Sequence, residues 1–224
     1  MFMDNLEVKA VIFDFDGVIV DTEPLHYKAF QRLLEPLGLG FSWEEYVETY
    51  MGFDDRDAFK EAFNSKDHQL SQAELNKLVL EKAIVFQDVI LDGVVAYPGV
   101  VKLITKLHAS GIPLAICSGA LLSDIVPILE LFHISSCFDL VVTADDVQKS
   151  KPDPESYQLT FQKLSSLHTD KNLTFDNTIV IEDTPAGIKS ANGAGLSVIA
   201  VTNSYPKENL SAAVHIVESL ESLI

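Results

Sequence analysis

Five short apolar runs, each rich in β-branched residues, limit the folds open to this chain more than any other feature. They read "AVIFDF" at 10–15, "PLAICS" at 113–118, "FDLVVTA" at 138–144, "NTIVIED" at 177–183 and "LSVIAV" at 196–201. None alternates apolar with polar residues, so each is the pattern of a strand covered on both faces, as in a parallel sheet. Helical periods fill the gaps: "GVVKLITKLHAS" at 99–110, "LLSDIVPILELF" at 121–132, "PESYQLTFQKLSSL" at 154–167 and "PAGIKSANGA" at 185–194. A strict alternation of strand and helix predicts an α/β fold with a doubly wound, parallel, Rossmann-like sheet.

One segment breaks the alternation. Between about Asp21 and Asp92 there is no strand signature, only helical stretches around 24–37, 43–50, 54–64 and 71–91. Some seventy residues of helix directly after the first strand predict an inserted helical-bundle domain over 21–92, with residues 1–20 and 93–224 forming the α/β core. "GVVAYPG" at 93–99 supplies turn residues where the chain returns to that core.

The chain has 224 residues, 47% hydrophobic and 22% charged, which is enough for a full core. Sixteen basic residues against thirty-three acidic ones leave a net charge of −17. That field opposes nucleic acid and anionic membrane surfaces as partners but still allows a local basic pocket for a small anion. Two cysteines, Cys117 and Cys137, are too few for a disulfide framework and fit buried thiols in a reducing cytoplasm. "MFMDNLEVK" lacks the pattern of a signal peptide, and no stretch approaches the ~18 apolar residues of a membrane span. A monomer or weak homodimer is expected.

In an open α/β sheet, ligands bind beyond the carboxyl ends of the strands. The first strand ends in Asp14-Phe15-Asp16-Gly17, the second in Ser118-Gly119 and the fourth in Glu182-Asp183, while Lys151 stands in the loop "KSKPDP" after the third. Singly, each has an ordinary explanation. Asp183 could form the turn before a helix starting at Thr184–Pro185, Ser118 could be a turn serine and Lys151 a surface lysine. Gathered at one edge of one sheet, they make a site the better account. Several carboxylates packed together repel unless a cation neutralises them, and an all-oxygen ligand set suggests Mg²⁺. A lysine and backbone N–H groups facing such a centre describe a phosphate pocket. Asp14 and Asp16, two apart, share a strand face, so one can attack while the other handles the proton.

These residues carry a resemblance. "DFDGVIVDTEP" resembles the first motif of the haloacid dehalogenase superfamily, "ICSG" the second, "KSKPDPESY" the third and "VIEDTPAGIKSANGAG" the fourth. They occur in the family's order, and the helical insertion matches its cap domain. The branch they resemble contains β-phosphoglucomutase and phosphoglycolate and sugar-phosphate phosphatases. The resemblance implies Asp14 as a nucleophile forming an aspartyl-phosphate and Asp16 as general acid and base, its main-chain carbonyl also binding Mg²⁺. It implies that Ser118, Gly119 and Lys151 hold the phosphoryl group, that Asp183 joins Asp14 on the metal, and that Glu182 acts through a bound water. In the cap it points to His26 and to Arg56, in the loop "MGFDDRDAF", as substrate-facing groups, with Lys82 a further candidate. Trp43 and most phenylalanines are expected in packing. Thr22 or Glu23 should cap the first inserted helix, with Pro24 in its first turn.

Together these features imply a Mg²⁺-dependent phosphatase of a small phosphorylated metabolite, such as a sugar phosphate; the alternative is a β-phosphoglucomutase-type mutase. A mutase must hold a second phosphate. "SGALLSD" weighs against it, because Ala120, Leu121 and Leu122 offer no side-chain donor. Dehalogenase chemistry is disfavoured by Asp16 and the Glu182–Asp183 pair.

Overall fold

The computed structural model describes residues 8–51, 53 and 55–224. Most of the segment read for a signal peptide, and Gly52 and Asp54 of the "MGFDDRDAF" loop, lie outside that range. The chain divides into two compact units, one running up to Asp21 and resuming from Val95 to Ile224, the other spanning Thr22–Val94. The first junction falls one residue inside the expected insertion and the second two residues beyond its expected end. The cause is local pairing: Val20 bridges Ala96 antiparallel, and the Asp21 amide donates to the Val95 carbonyl at 3.5 Å, which keeps both connections with the α/β unit.

Strand β1 (Ala10–Phe13) is fully buried and opens the α/β unit. The chain then forms the helical unit: α1 (Glu23–Leu34), a short α2 (Trp43–Glu45) continued by a π-helical turn over Tyr46–Tyr50, α3 (Asp55–Asn64) and α4 (Gln72–Leu91). Thr22 is the N-cap of α1, with Pro24 in its first turn. Ser71 and Glu74 form a reciprocal capping box on α4. The aromatic-rich core of this unit includes Phe30, Leu34, Phe41, Tyr46, Tyr50, Phe59 and Leu78. Trp43 packs edge-on to Tyr27 and stacks on Tyr46 while remaining 38% exposed.

Back in the α/β unit the order is α5 (Val100–Ala109), β2 (Leu114–Cys117), α6 (Leu122–Leu131), β3 (Leu140–Val142), α7 (Glu155–Leu167), β4 (Thr178–Glu182), α8 (Pro185–Gly193), β5 (Ser197–Val201) and β6 (His215–Val217). The sheet is six-stranded and wholly parallel, in the order β3-β2-β1-β4-β5-β6. That is the doubly wound order, with its switch point at β1 and β4. β6 lies beyond the five strands expected.

Residue parity decides what reaches the site. Ala10 and Ile12 of β1, Ala115 and Cys117 of β2, and Val180 of β4 pack in one core cluster with Tyr157, Phe161 and Leu164 of α7 and Ile188 and Ala191 of α8. Because side chains alternate along a strand, Asp14 follows Ile12 onto this face, and Glu182 follows Val180. The β1–β4 register, with Ile12 opposite Val180 and Phe13 opposite Ile181, brings those two carboxylates to adjacent strand ends.

Candidate active site

The strand-end residues converge. The Asp14 amide donates to the Ile181 carbonyl at 2.9 Å, prolonging the β1–β4 ladder, and the Asp14 side chain is buried. After it the chain turns sharply: the Val18, Ile19 and Val20 amides all donate to the Phe15 carbonyl. Gly17 has φ +78°, and a Cβ there would overlap the Asp183 carboxylate, so glycine is required on both counts. Asp16, half-buried, lies on this turn, with the buried Ser118 hydroxyl 3.5 Å from its carboxylate. The Ser118 hydroxyl also accepts from the Ala120 amide at 2.9 Å, holding the turn that leaves Gly119 exposed.

Lys151 reaches into the cluster from the loop after β3. Its ammonium donates to Asp14 Oδ1 and Glu182 Oε1, both at 2.8 Å, and to the Cys117 carbonyl at 3.0 Å. The Tyr157 hydroxyl stands 3.1 Å from the same nitrogen and donates to Glu182 Oε1 at 2.9 Å. Glu182 is wholly buried, and its second oxygen accepts from the Asp183 and Thr184 amides and the Thr184 hydroxyl. The glycine of the first turn of α8 makes room for this carboxylate, since a Cβ on Gly187 would collide with it. Glu182 therefore anchors Lys151 and the loop after β4, a duty its position in the sequence did not reveal.

Asp183 is different. It is fully buried, and neither carboxylate oxygen has a hydrogen-bond partner among the described residues. An unpartnered buried carboxylate is costly. Carboxylate oxygens of Asp14, Glu182 and Asp183 lie within 4.8 Å of one another, with Lys151 the cation at hand. The electrostatics follow. Burial, then the charge of Glu182, pushes the Asp14 carboxyl well up; the same causes push Asp183 up to about 7. Glu182 is held below its usual value despite burial, because Lys151 lies beside it. Burial works against the Lys151 charge, but Asp14 and Glu182 overcome it and raise the group well above an ordinary lysine. A divalent cation with oxygen ligands fits this donor set, and Asp183's orphan oxygens are the clearest sign of it.

Two contributors escaped the sequence reading. Tyr157 stood in the helical period at 154–167 with no role given to its hydroxyl. Asn203, after β5, donates to the Gly17 carbonyl at 2.6 Å and so clamps the turn that carries Asp16. The strand-end rule applied to "LSVIAVTNS" would have found it.

The cap candidates belong to the helical unit. Lys82 of α4 is buried; its ammonium contacts His26 Nδ1 at 2.7 Å, pairs closely with Asp55, and lies 4.6 Å from the Phe30 ring centre. The His26 ring stacks on Phe86 at 4.4 Å. Burial, and then Lys82, lowers the imidazole well below its ordinary value, so Nδ1 is an acceptor on a neutral ring. Arg56 is exposed and donates to Asn76 Oδ1 at 2.9 Å.

The pattern defining the haloacid dehalogenase-like hydrolases matches residues 11–201, and the chain belongs to that family of enzymes. It is 30% identical to a phosphorylated carbohydrates phosphatase of Thermotoga maritima, over 86% of this chain and 84% of that one. It is 28% identical to hexitol phosphatase A of Escherichia coli, over 97% and 94%. A solved structure described as a putative β-phosphoglucomutase from Thermotoga maritima superposes with a TM-score of 0.78 at 28% identity, covering 96% of both chains. No helix among the described residues is long and apolar enough to cross a membrane.

Proposed function

We propose that this protein is a Mg²⁺-dependent phosphatase hydrolysing a small phosphorylated metabolite, such as a sugar phosphate, through an aspartyl-phosphate. The observation that carries the reading is the buried acid cluster in which the Asp183 carboxylate oxygens lack a hydrogen-bond partner among the described residues and Asp14 faces the Lys151 ammonium. The two phosphatase relatives act, by their names, on phosphorylated carbohydrates and hexitols, and they support that substrate class.

Asp14, Asp183 and the main-chain carbonyl of Asp16 would hold Mg²⁺, with Glu182 contributing through a water. The ion supplies positive charge that offsets the carboxylates and the phosphoryl oxygens. In the proposed reaction an Asp14 oxygen forms a bond to phosphorus as the ester P–O bond breaks, and Asp16 gives its proton to the departing oxygen. A water then attacks the same phosphorus, Asp16 takes the water's proton, and the Asp14 carboxylate is restored as inorganic phosphate leaves. Ser118, the Gly119 amide and Lys151 hold the phosphoryl oxygens meanwhile. His26 and Arg56 are the substrate-facing candidates of the cap. The reading places the enzyme in the cytoplasm as a monomer or weak homodimer, with neither nucleic acid nor membrane as a partner.

The mutase reading is kept because of the putative β-phosphoglucomutase relative. Against it, the exposed Leu121 and Leu122 present no donor for a second phosphate, and each missing charge-assisted donor costs roughly 1.5–3 kcal/mol. The test is a screen of sugar phosphates, phosphoglycolate and nucleotides with Mg²⁺, comparing kcat/KM for phosphate release. A parallel assay supplies β-glucose 1-phosphate with a trace of the 1,6-bisphosphate. Release of inorganic phosphate is expected to dominate; isomerisation much faster than release would overturn the proposal.

A further inference from the structure

Lys151 has three ammonium protons and four acceptors: Asp14 Oδ1, Glu182 Oε1, the Cys117 carbonyl and the Tyr157 hydroxyl. The Tyr157 side chain is wholly buried on α7, and its own proton is committed to Glu182 Oε1. A phenol donating in one direction offers only lone pairs in the other, so towards Lys151 it is an acceptor without charge. Three neighbours of the ammonium are thus fixed in the protein interior, and only the fourth, Asp14, is a proposed reactant.

We propose that Tyr157 is a positioning residue: its hydroxyl bridges Glu182 and Lys151 and keeps the ammonium anchored on Glu182 while it also meets Asp14 Oδ1 at 2.8 Å. The inference rests on the phosphatase reading for its kinetic consequence but not for its structural one. Lys151 must be able to meet the phosphoryl oxygens while remaining anchored. Glu182 provides the anchoring charge and Tyr157 the direction. The same arrangement keeps Lys151 in place when Asp14 becomes an acyl phosphate and its carboxylate charge is lost, since the Glu182, Tyr157 and Cys117 contacts do not depend on Asp14.

Tyr157→Phe removes one oxygen and leaves the ring in its cluster. The expected result is a kcat lowered about tenfold, the size of one hydrogen bond to a charged group, with KM changed less than about threefold. Thr160→Val is the matched control: Thr160 is also buried on α7, and its hydroxyl donates to the Ser156 carbonyl at 2.7 Å and makes no contact with the Lys151 ammonium among the described hydrogen bonds. A kcat loss of equal size in Thr160→Val, or an unchanged kcat in Tyr157→Phe, would overturn the proposal. A crystal structure of Tyr157→Phe gives a readout that needs no turnover. Lys151 Nζ should lie farther from Glu182 Oε1 than in the wild type; an unmoved Nζ refutes the positioning role. Should the wild-type enzyme release no phosphate from any ester, the phosphatase reading fails while the crystallographic comparison still decides this one.

Discussion

Each unit of the molecule buries a charged cluster, and the two are built on opposite principles. In the α/β unit, Asp14, Glu182 and Asp183 surround one lysine, and two carboxylate oxygens have no partner among the described residues. In the helical unit one lysine meets one carboxylate, Asp55, and one neutral imidazole, with aromatic rings completing its surroundings. The first cluster is short of positive charge; the second is balanced within itself. Buried charge is expensive unless compensated, so in the proposed function a Mg²⁺ ion would complete the first arrangement, whereas the second needs nothing added. The contrast separates a ligand-demanding site from a self-sufficient one.

The largest effects should appear where the cluster is incomplete. Asp14→Asn replaces an anionic nucleophile with an amide, and turnover should fall by about 10⁴-fold or more in a phosphate-release assay. Asp16→Asn keeps the main-chain carbonyl and loses only the proton carrier, so its loss should be smaller, about 10²–10⁴-fold. Activity of Asp16→Asn within a few-fold of wild type would remove it from the chemistry.

Next in size is the imbalance itself, read as stability. Asp183 has an ordinary carboxyl value of 3.8 and is pushed up to about 7 in the fold. Between those values the unfolded chain has released this proton and the folded chain retains it. The unfolded state therefore binds fewer protons, and the group's contribution to stability falls as pH rises through that window, then levels off above it. In EDTA at pH 8, Asp183→Asn should be more stable than wild type, on the order of 2–4 kcal/mol, and the gap should narrow towards pH 5. Mg²⁺ should stabilise the wild type and not the variant, by about 2.7 kcal/mol at a hundredfold excess over Kd. Urea titrations at the two pH values, with and without Mg²⁺, check all three statements. A variant less stable than wild type in EDTA at pH 8 would show that the acid cluster is already balanced.

The same contrast explains what the sequence disclosed. Strands covered on both faces are written as continuous apolar runs, which is why "PLAICS" and "NTIVIED" locate β2 and β4 to within a residue or two. β6 escaped because it is a three-residue edge strand, half-buried for most of its length, and lacks such a run. The acid cluster was legible because its residues end strands that topology aligns at one edge. Tyr157 was not: in a helical period a tyrosine reads as core, and its hydroxyl gains meaning only from the parity that turns Asp14 and Glu182 onto the α7 face. Asp55 was invisible for a related reason. The pairing of residues 55 and 82 depends on how α3 meets α4, and nothing in either helical pattern encodes that.

That pairing carries the smallest effect and the finest test of the comparison. Lys82 is 2% exposed and Asp55 is 34% exposed, so the two ends of one ion pair differ in their access to water. Asp55→Asn should strand the buried ammonium. A fully buried pair would lose 3–5 kcal/mol on such a change, but the solvent at Asp55 lowers the expectation to about 1–3 kcal/mol. Lys82→Met removes the buried charge and leaves an unbranched apolar chain between Phe30 and Phe86, while Asp55 can turn to water. The cost should be below about 1 kcal/mol, or even a gain. Urea midpoints of the two variants at one pH measure the asymmetry. Equal losses would mean that the helical cluster is no more self-sufficient than the acid one. If Lys82→Met instead keeps its stability and loses kcat/KM, the balanced cluster serves the substrate, and its charge is retained for function at no benefit to the fold.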